Sequence, residues 1–287
     1  MARLPGRTRR RALSRLATAA IAAALVGTTA GIANADPAPS HESRAESPRF
    51  PLLATDGAGA LFEYLPDGHG GFGDRKQVAP RWRTTATVQV DLDQNGLVDS
   101  HYFRTADGSL YLAHLKDNVR RIGGGWDIYN RLLSPGDLTG SGTPSLLARD
   151  KTGDLWIYQA RPDGTLTDRV RVGPGWDIYT DIVGRGDLNG DGHTDIVAKD
   201  RNGVLWFYKG TGNINDPFES RVRIGGGWDA YDMLVSSGDV NLDGRSDLLA
   251  RDHDGVLWLY KGNGNQNDPF DNRVRIGGGW DEYTNLF

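Results

Sequence analysis

Three stretches of the chain place oxygen-bearing side chains at alternate positions around a glycine: Asp91-Leu-Asp93-Gln-Asn95-Gly96-Leu97-Val-Asp99, Asp187-Leu-Asn189-Gly-Asp191-Gly192-His193-Thr-Asp195 and Asp239-Val-Asn241-Leu-Asp243-Gly244-Arg245-Ser-Asp247. In a tight loop, side chains at positions one, three, five and nine converge, and the glycine at position six permits the sharp turn. Such a cluster of carboxylate and amide oxygens suits Ca²⁺, which takes about six to eight oxygens at ~2.3–2.6 Å. The main-chain carbonyls of Leu97, His193 and Arg245 are the expected fifth donors. No glutamate follows at position twelve, so the three expected Ca²⁺ sites should be weak, ~10⁻⁴ to 10⁻³ M. A fourth stretch, Asp137-Leu-Thr139-Gly-Ser141-Gly142-Thr-Pro-Ser145, keeps the turn with a single carboxylate and is expected to stay empty. Turn propensity alone explains one Asp/Asn/Gly loop. Three copies at one place in a repeat favour the metal.

That repeat is what must position the loops. Gly-Trp-Asp-x-Tyr recurs at 125–129, 175–179, 227–231 and 279–283, a weaker first copy ends at Trp82, and the tryptophans step by 44, 50, 52 and 52 residues. A second series runs Leu-Trp-Ile-Tyr (155–158), Leu-Trp-Phe-Tyr (205–208) and Leu-Trp-Leu-Tyr (257–260), with forerunners at Leu61–Tyr64 and Leu110–Leu112. Within one unit four short strands are expected: Tyr179–Val183, Asp195–Ala198, Val204–Lys209, apolar enough to be buried on both faces, and Arg221–Ile224, with one wet face. Four antiparallel strands per unit, five times over, predict an all-β fold, a five-bladed β-propeller; a linear solenoid is the competitor. The two ends complement each other: the first unit lacks an initial strand, and the chain runs on past Trp280. Tyr283–Phe287 should therefore pair into the first blade and close the ring. The expected blades are 47–82 plus 281–287, then 83–126, 127–176, 177–228 and 229–280, together spanning 47–287.

Composition agrees with a turn-rich β protein: 39 glycines, 8 tryptophans and only five glutamates among 37 acidic residues. The net charge of −4 hides an asymmetry. Six basic and no acidic residues lie in the first 35 positions, leaving 27 basic against 37 acidic residues beyond them. This rules out the basic field that nucleic acid requires. Residues 1–35 combine basic residues, an Ala-rich apolar run at 16–26 and Ala33-Asn34-Ala35, the pattern of a signal peptide. Arg9-Arg10 makes the twin-arginine and ordinary secretory routes both eligible. A disordered leader is expected at 36–46, and no stretch is long enough for a membrane span. The mature chain is thus expected to be extracellular and monomeric. With no cysteine it must rely on its core and on metal.

The loops Asp91–Asp99, Asp187–Asp195 and Asp239–Asp247 resemble those of FG-GAP or VCBS-like repeats, the repeats of integrin-type propellers and of secreted bacterial proteins, over about 48–287. The resemblance implies calcium stabilisation and adhesion or ligand binding. The Gly-Trp-Asp-x-Tyr units are more loosely similar to tachylectin-type five-bladed lectins.

A partner is then expected among extracellular glycans or proteins. Trp126, Trp176, Trp228 and Trp280 follow glycines in connecting turns, where either ligand stacking or packing fits. Trp156, Trp206 and Trp258 lie mid-strand and read as core. The pairs Arg169/Arg171, Arg221/Arg223 and Arg273/Arg275 read as charges guarding an outer edge strand, or as contacts for acidic glycans. No nucleophile elbow or zinc-type histidine pair is present, and Glu63, Glu219 and Glu282, the only glutamates within the repeats, fall in no central place. The expected role is non-catalytic. A glycoside hydrolase or lyase, which needs two carboxylic acids flanking the scissile bond, is the alternative.

Overall fold

The computed structural model describes residues 47–114, 119–265 and 267–287. The expected signal peptide and leader lie outside the described residues.

Among the described residues, the short apolar runs between Gly/Asn/Asp turns form twenty strands in five four-stranded antiparallel sheets arranged as a ring. Blade 2 comprises β4 (Ala86–Val90), β5 (Ser100–Arg104), β6 (Leu110–His114) and β7 (Arg120–Gly123). Blade 3 holds β8 (Tyr129–Gly136), β9 (Ser145–Asp150), β10 (Leu155–Gln159) and β11 (Val170–Gly173). Blade 4 holds β12 (Tyr179–Val183), β13 (Ile196–Asp200), β14 (Leu205–Tyr208) and β15 (Val222–Gly225), and blade 5 holds β16 (Tyr231–Gly238), β17 (Asp247–Asp252), β18 (Leu257–Tyr260) and β19 (Val274–Gly277). Blade 1 is built from both ends of the chain. β1 (Leu52–Asp56), β2 (Leu61–Tyr64) and β3 (Lys76–Ala79) are joined by β20 (Tyr283–Leu286), which pairs antiparallel with β1 as Ala54 opposite Leu286. The propeller is closed as the complementary ends require.

One expectation is corrected. The third strand of a blade is not buried on both faces; in β14, Leu205 and Phe207 are buried while Trp206 and Tyr208 are half-buried. The second strand has both faces covered: Ile196, Val197, Ala198 and Lys199 of β13 are all buried. It lies between the first and third strands and under both neighbouring blades, so neither face reaches water.

The repeated residues stitch the blades together. Each turn tryptophan starts a single 3-10 turn after a left-handed glycine, and its N–H donates to the hairpin-glycine carbonyl of the preceding blade, as from Trp126 to Gly108 (2.9 Å) and Trp176 to Gly153 (2.9 Å). In blades 2 to 5 a cation at the end of the second strand reaches the next such turn. Nη1 of Arg149 donates to the carbonyls of Trp176 (2.9 Å) and Tyr179 (2.6 Å), and Arg104 and Arg251 repeat the contact. In blade 4, Lys199 Nζ donates to the Tyr231 carbonyl (2.7 Å). Sequence reasoning missed these clasps, although a basic residue just before the hairpin Asp, at Arg149-Asp150, Lys199-Asp200 and Arg251-Asp252, was a signal for three of them.

Candidate functional site

Each inner strand runs from the face carrying the Gly-Trp-Asp turns to the opposite face, where the acidic loops lie between first and second strands. Two backbone reversals shape each loop. The glycine at position six is left-handed in all four copies (Gly96 φ 83°, Gly142 79°, Gly192 90°, Gly244 87°). Position four is left-handed as well, at Gly140 and Gly190 but also at Gln94 (φ 59°) and Leu242 (φ 60°), where a side chain makes that conformation costly. The sequence reading identified position six and missed position four.

Asp91, Asp93 and Asp99 each bring a carboxylate oxygen within 4.8 Å of the others. Two oxygens on opposite sides of a Ca²⁺ ion would lie about 4.8 Å apart, so this spacing fits one coordination sphere. Burial, opposed by the Gly96 N–H bond and aided by the neighbouring Asp93 and Asp99, pushes the Asp91 carboxyl up to about 6. The Asp187 and Asp239 loops carry Asn189 and Asn241 where the first has Asp93. Asp187 Oδ2 accepts from the Gly192 N–H (2.8 Å) and Asp239 Oδ2 from the Gly244 N–H (2.8 Å), which folds each loop around its first carboxylate. Asp191 and Asp243 stand at position five and accept from the His193 and Arg245 N–H groups (2.9 and 3.0 Å). The last carboxylates, Asp195 and Asp247, are fully buried, and burial raises both to about 7 despite N–H bonds from Gly210 and Gly262. Asn189 is also buried, with its Nδ2 unpaired. These hard oxygen donors, running in each loop from an exposed side chain at position five to the last carboxylate, which is buried in the Asp187 and Asp239 loops, suit a divalent cation that would neutralise them.

The Asp137 loop shows the contrast. Its backbone closes identically, with the Gly142 N–H on Asp137 Oδ2 (2.7 Å), but a neutral amide occupies its interior. Gln159 Oε1 accepts from the hydroxyls of Thr139 (2.8 Å) and Ser145 (3.1 Å), while its Nε2 donates to Thr143 Oγ1 (2.7 Å). At the place where blade 1 would have such a loop, residues 47–50 cross instead. Ser47 Oγ donates to the Gly244 carbonyl (2.6 Å) and the Arg49 N–H to the Gly96 carbonyl (2.7 Å), tying two acidic loops to one segment.

The turn tryptophans are corrected from possible stacking platforms to packing. Trp126, Trp176, Trp228 and Trp280 are only 6–8% exposed, each pressed on a third-strand tyrosine with ring centroids 4.6–4.8 Å apart. Trp176 borders a cavity of about 440 Å³ with Pro174 and Phe218, yet Tyr179, Tyr208 and Phe218 cover its ring. The mid-strand tryptophans are corrected the other way. Trp156, Trp206 and Trp258 are half-buried, with their Nε1–H donating to Asp150, Asp200 and Asp252 (2.7–2.9 Å) and the guanidinium of Arg169, Arg221 or Arg273 about 4 Å above the ring. The same arginines donate to Tyr129, Tyr179 and Tyr231 hydroxyls, so the first arginine of each pair is a cover on the blade.

Residues 137–198 and 187–250 match the model of the FG-GAP-like repeat, each match starting at the first aspartate of a loop. The chain carries FG-GAP-like repeats. Blades 3 to 5 supply the matched FG-GAP-like segments, and blade 2 carries the same loop in its own version. No curated protein sequence matches the chain. Among solved structures, the BP39L lectin from Burkholderia pseudomallei is similar at 14% identity, covering 86% of this chain and 74% of the lectin, with a TM-score of 0.49. A mutant of AofleA from Arthrobotrys oligospora is similar at 8% identity, covering 81% and 73%, with a TM-score of 0.48. A GH43 glycoside hydrolase is similar at 12% identity, covering 84% of this chain but 55% of the enzyme, with a TM-score of 0.43. Likeness at this level is one of architecture and does not carry a ligand across. Among the described residues no helix is long and apolar enough to cross a membrane.

Proposed function

We propose that the protein is a secreted, calcium-stabilised propeller that binds an extracellular glycan or protein without catalysis. The observation that carries the metal reading is the convergence of Asp91, Asp93 and Asp99 within 4.8 Å, in a loop whose pattern recurs at Asp187–Asp195 and Asp239–Asp247. The residues that would hold Ca²⁺ are the odd-position side chains of these loops with the carbonyls of Leu97, His193 and Arg245. The bound ion would supply positive charge to buried carboxylates and pin the loops that link first and second strands. The buried neutral network around Gln159 supports an empty fourth loop.

Against catalysis stands the placement of the acids. Glu63 is buried with Lys76 at 3.7 Å and Glu282 pairs with Arg75 at 3.0 Å. Asp56, the carboxylate lining the axial cavity, accepts from the N–H groups of Ala58 (2.9 Å) and Ala60 (2.8 Å), so no facing pair of carboxylates flanks that cavity. Secretion rests on the leader pattern of residues 1–35.

Melting in 10 mM Ca²⁺ against chelator tests the metal. Sites of ~10⁻⁴ to 10⁻³ M should each add about 1.4–2.7 kcal/mol at that concentration. An unchanged melting temperature overturns the reading.

A further inference from the structure

The repeat that builds the blades breaks down along the propeller axis. Two residues before a loop's first aspartate stand Gln89 in blade 2 and Arg185 in blade 4, and two residues after an inner-strand tyrosine stand Arg131 in blade 3 and Asn285 in blade 1; all four line the axial cavity, and neither position keeps its residue type. The tryptophans, tyrosines and loop aspartates that hold the blades together recur. Divergence around the lumen points instead to an occupant without the symmetry of the ring.

The inner strands enclose a cavity of about 410 Å³, open on the turn face and lined by Thr87, Asn130, Arg131, Ser134 and Arg185. This is the size of a small-molecule site, ~300–1,000 Å³. Its deep end is closed by Arg185, 8% exposed, which crosses from blade 4 to the carbonyls of Ser236 in blade 5 (3.3 Å) and Gln89 in blade 2 (3.3 Å), over the Phe50 ring at 3.9 Å. Among the described residues no carboxylate forms an ion pair with it. Asp181 is already shared by Lys199 (3.0 Å) and Arg131 (3.7 Å), and Asp56 is engaged in its own turn. Asp91 acts on Arg185 only from beyond ion-pair distance, and His101 nearby stays neutral, burial holding it down to about 4. Ser134 Oγ and Gln89 Oε1, also at the deep end, are buried without a partner. A buried cation without an ion-pair partner, beside a hydroxyl and an amide oxygen lacking a partner, is complementary to an anion that carries hydroxyls.

We propose that the axial cavity binds a sugar acid of monosaccharide size, with its carboxylate toward Arg185 and its hydroxyl groups toward Ser134 and Gln89. The inference rests on the reading of the chain as a binding module and names its ligand class. Calorimetric titration of the calcium-loaded protein with D-glucuronate, D-glucose, acetate and inorganic phosphate tests it. Glucuronate should bind at least tenfold more tightly than each of the others, and Arg185→Gln should weaken it at least tenfold. Because Arg185 also holds two carbonyls, Asn130→Trp at the exposed rim gives a second variant that obstructs the mouth without touching the deep end, with the same loss expected. Glucuronate binding no tighter than that of glucose, acetate or phosphate overturns the proposal, as does binding that persists in both variants. A calcium-dependent melting shift without glucuronate binding overturns this inference alone and leaves the metal reading standing.

Discussion

Removing Tyr283–Phe287 should cost the domain most of its stability. Tyr283 and Leu286 are 2% and 7% exposed and belong to a cluster that joins blade 5 to blade 1 through Val235, Leu249, Leu52 and Ala54. Losing a buried leucine side chain costs about 2–5 kcal/mol and a buried aromatic about 3–5. The deletion also frees β1, whose Leu53 exchanges hydrogen bonds with Phe287 (2.9 Å each way). The total, about 5–10 kcal/mol, is comparable to the whole stability of a typical domain, about 5–15 kcal/mol. A graded version avoids outright unfolding. Leu286→Ala should lower the melting temperature by roughly 5–15 °C, taking about 2–4 °C per kcal/mol for a domain of this size. Asn285→Ala, on the exposed side of the same strand, should shift it by less than about 2 °C. Circular dichroism with tryptophan fluorescence reads both. A truncated chain that melts within about 2 °C of the full one would refute the idea that the ring depends on its seam.

Gly203→Ala should destabilise by more than about 1 kcal/mol in urea melts, because Gly203 has φ +69° and an added Cβ would stand 2.6 Å from the Asp229 N. Gly225→Ala, with nothing within 4 Å, is the neutral partner, and equal costs would contradict the packing described. In acid, burial acts to raise the Asp150 carboxyl, but bonds from Thr152, Trp156 and Asp154 outweigh it and hold the group at about 2; Asp200 and Asp252 are lowered in the same way. All three folded values lie below the unfolded ones, so the stability they contribute is present above pH ~4 and falls in acid, for Asp150 as pH drops through about 2. Asp150→Asn should flatten that decline in melts run from pH 5 to 2, and an unchanged slope would contradict it.

Blade number and acidic loops were legible because each is written several times, so the tryptophan steps and loop spacing could be checked against their own copies; ring closure followed from the strand the first unit lacks and the strand left over after Trp280. Burial was less legible. The mid-strand Trp156 read as core and the turn Trp126 as open to either role, yet Tyr158 covers Trp126 while Trp156 stays half-buried beneath Arg169. The clasp from Arg149 to the next blade's turn spans 27 residues, and no local pattern announces a contact that exists only when blades stand side by side. Left-handed Gln94 and Leu242 were hidden for a different reason, since neither residue type asks for that backbone. Arg185 was invisible because it occurs once, and reasoning from repeats passes over what is not repeated.

The antiparallel seam between β1 and β20 sets how the molecule responds to pulling. Leu53 and Phe287 sit side by side at one end of that pair, so tension drawn from residue 52 and residue 287 arrives at a single rung. Rungs loaded in this geometry break in succession, as the teeth of a zip do, whereas strands drawn past one another resist together. Drawn from residue 52 and residue 287, the propeller would open rung by rung along this seam and spill its blades in order. Drawn from upstream of Ser47, it would first load the bonds that lace Ser47 to Phe50 beneath the ring, which shield that rung.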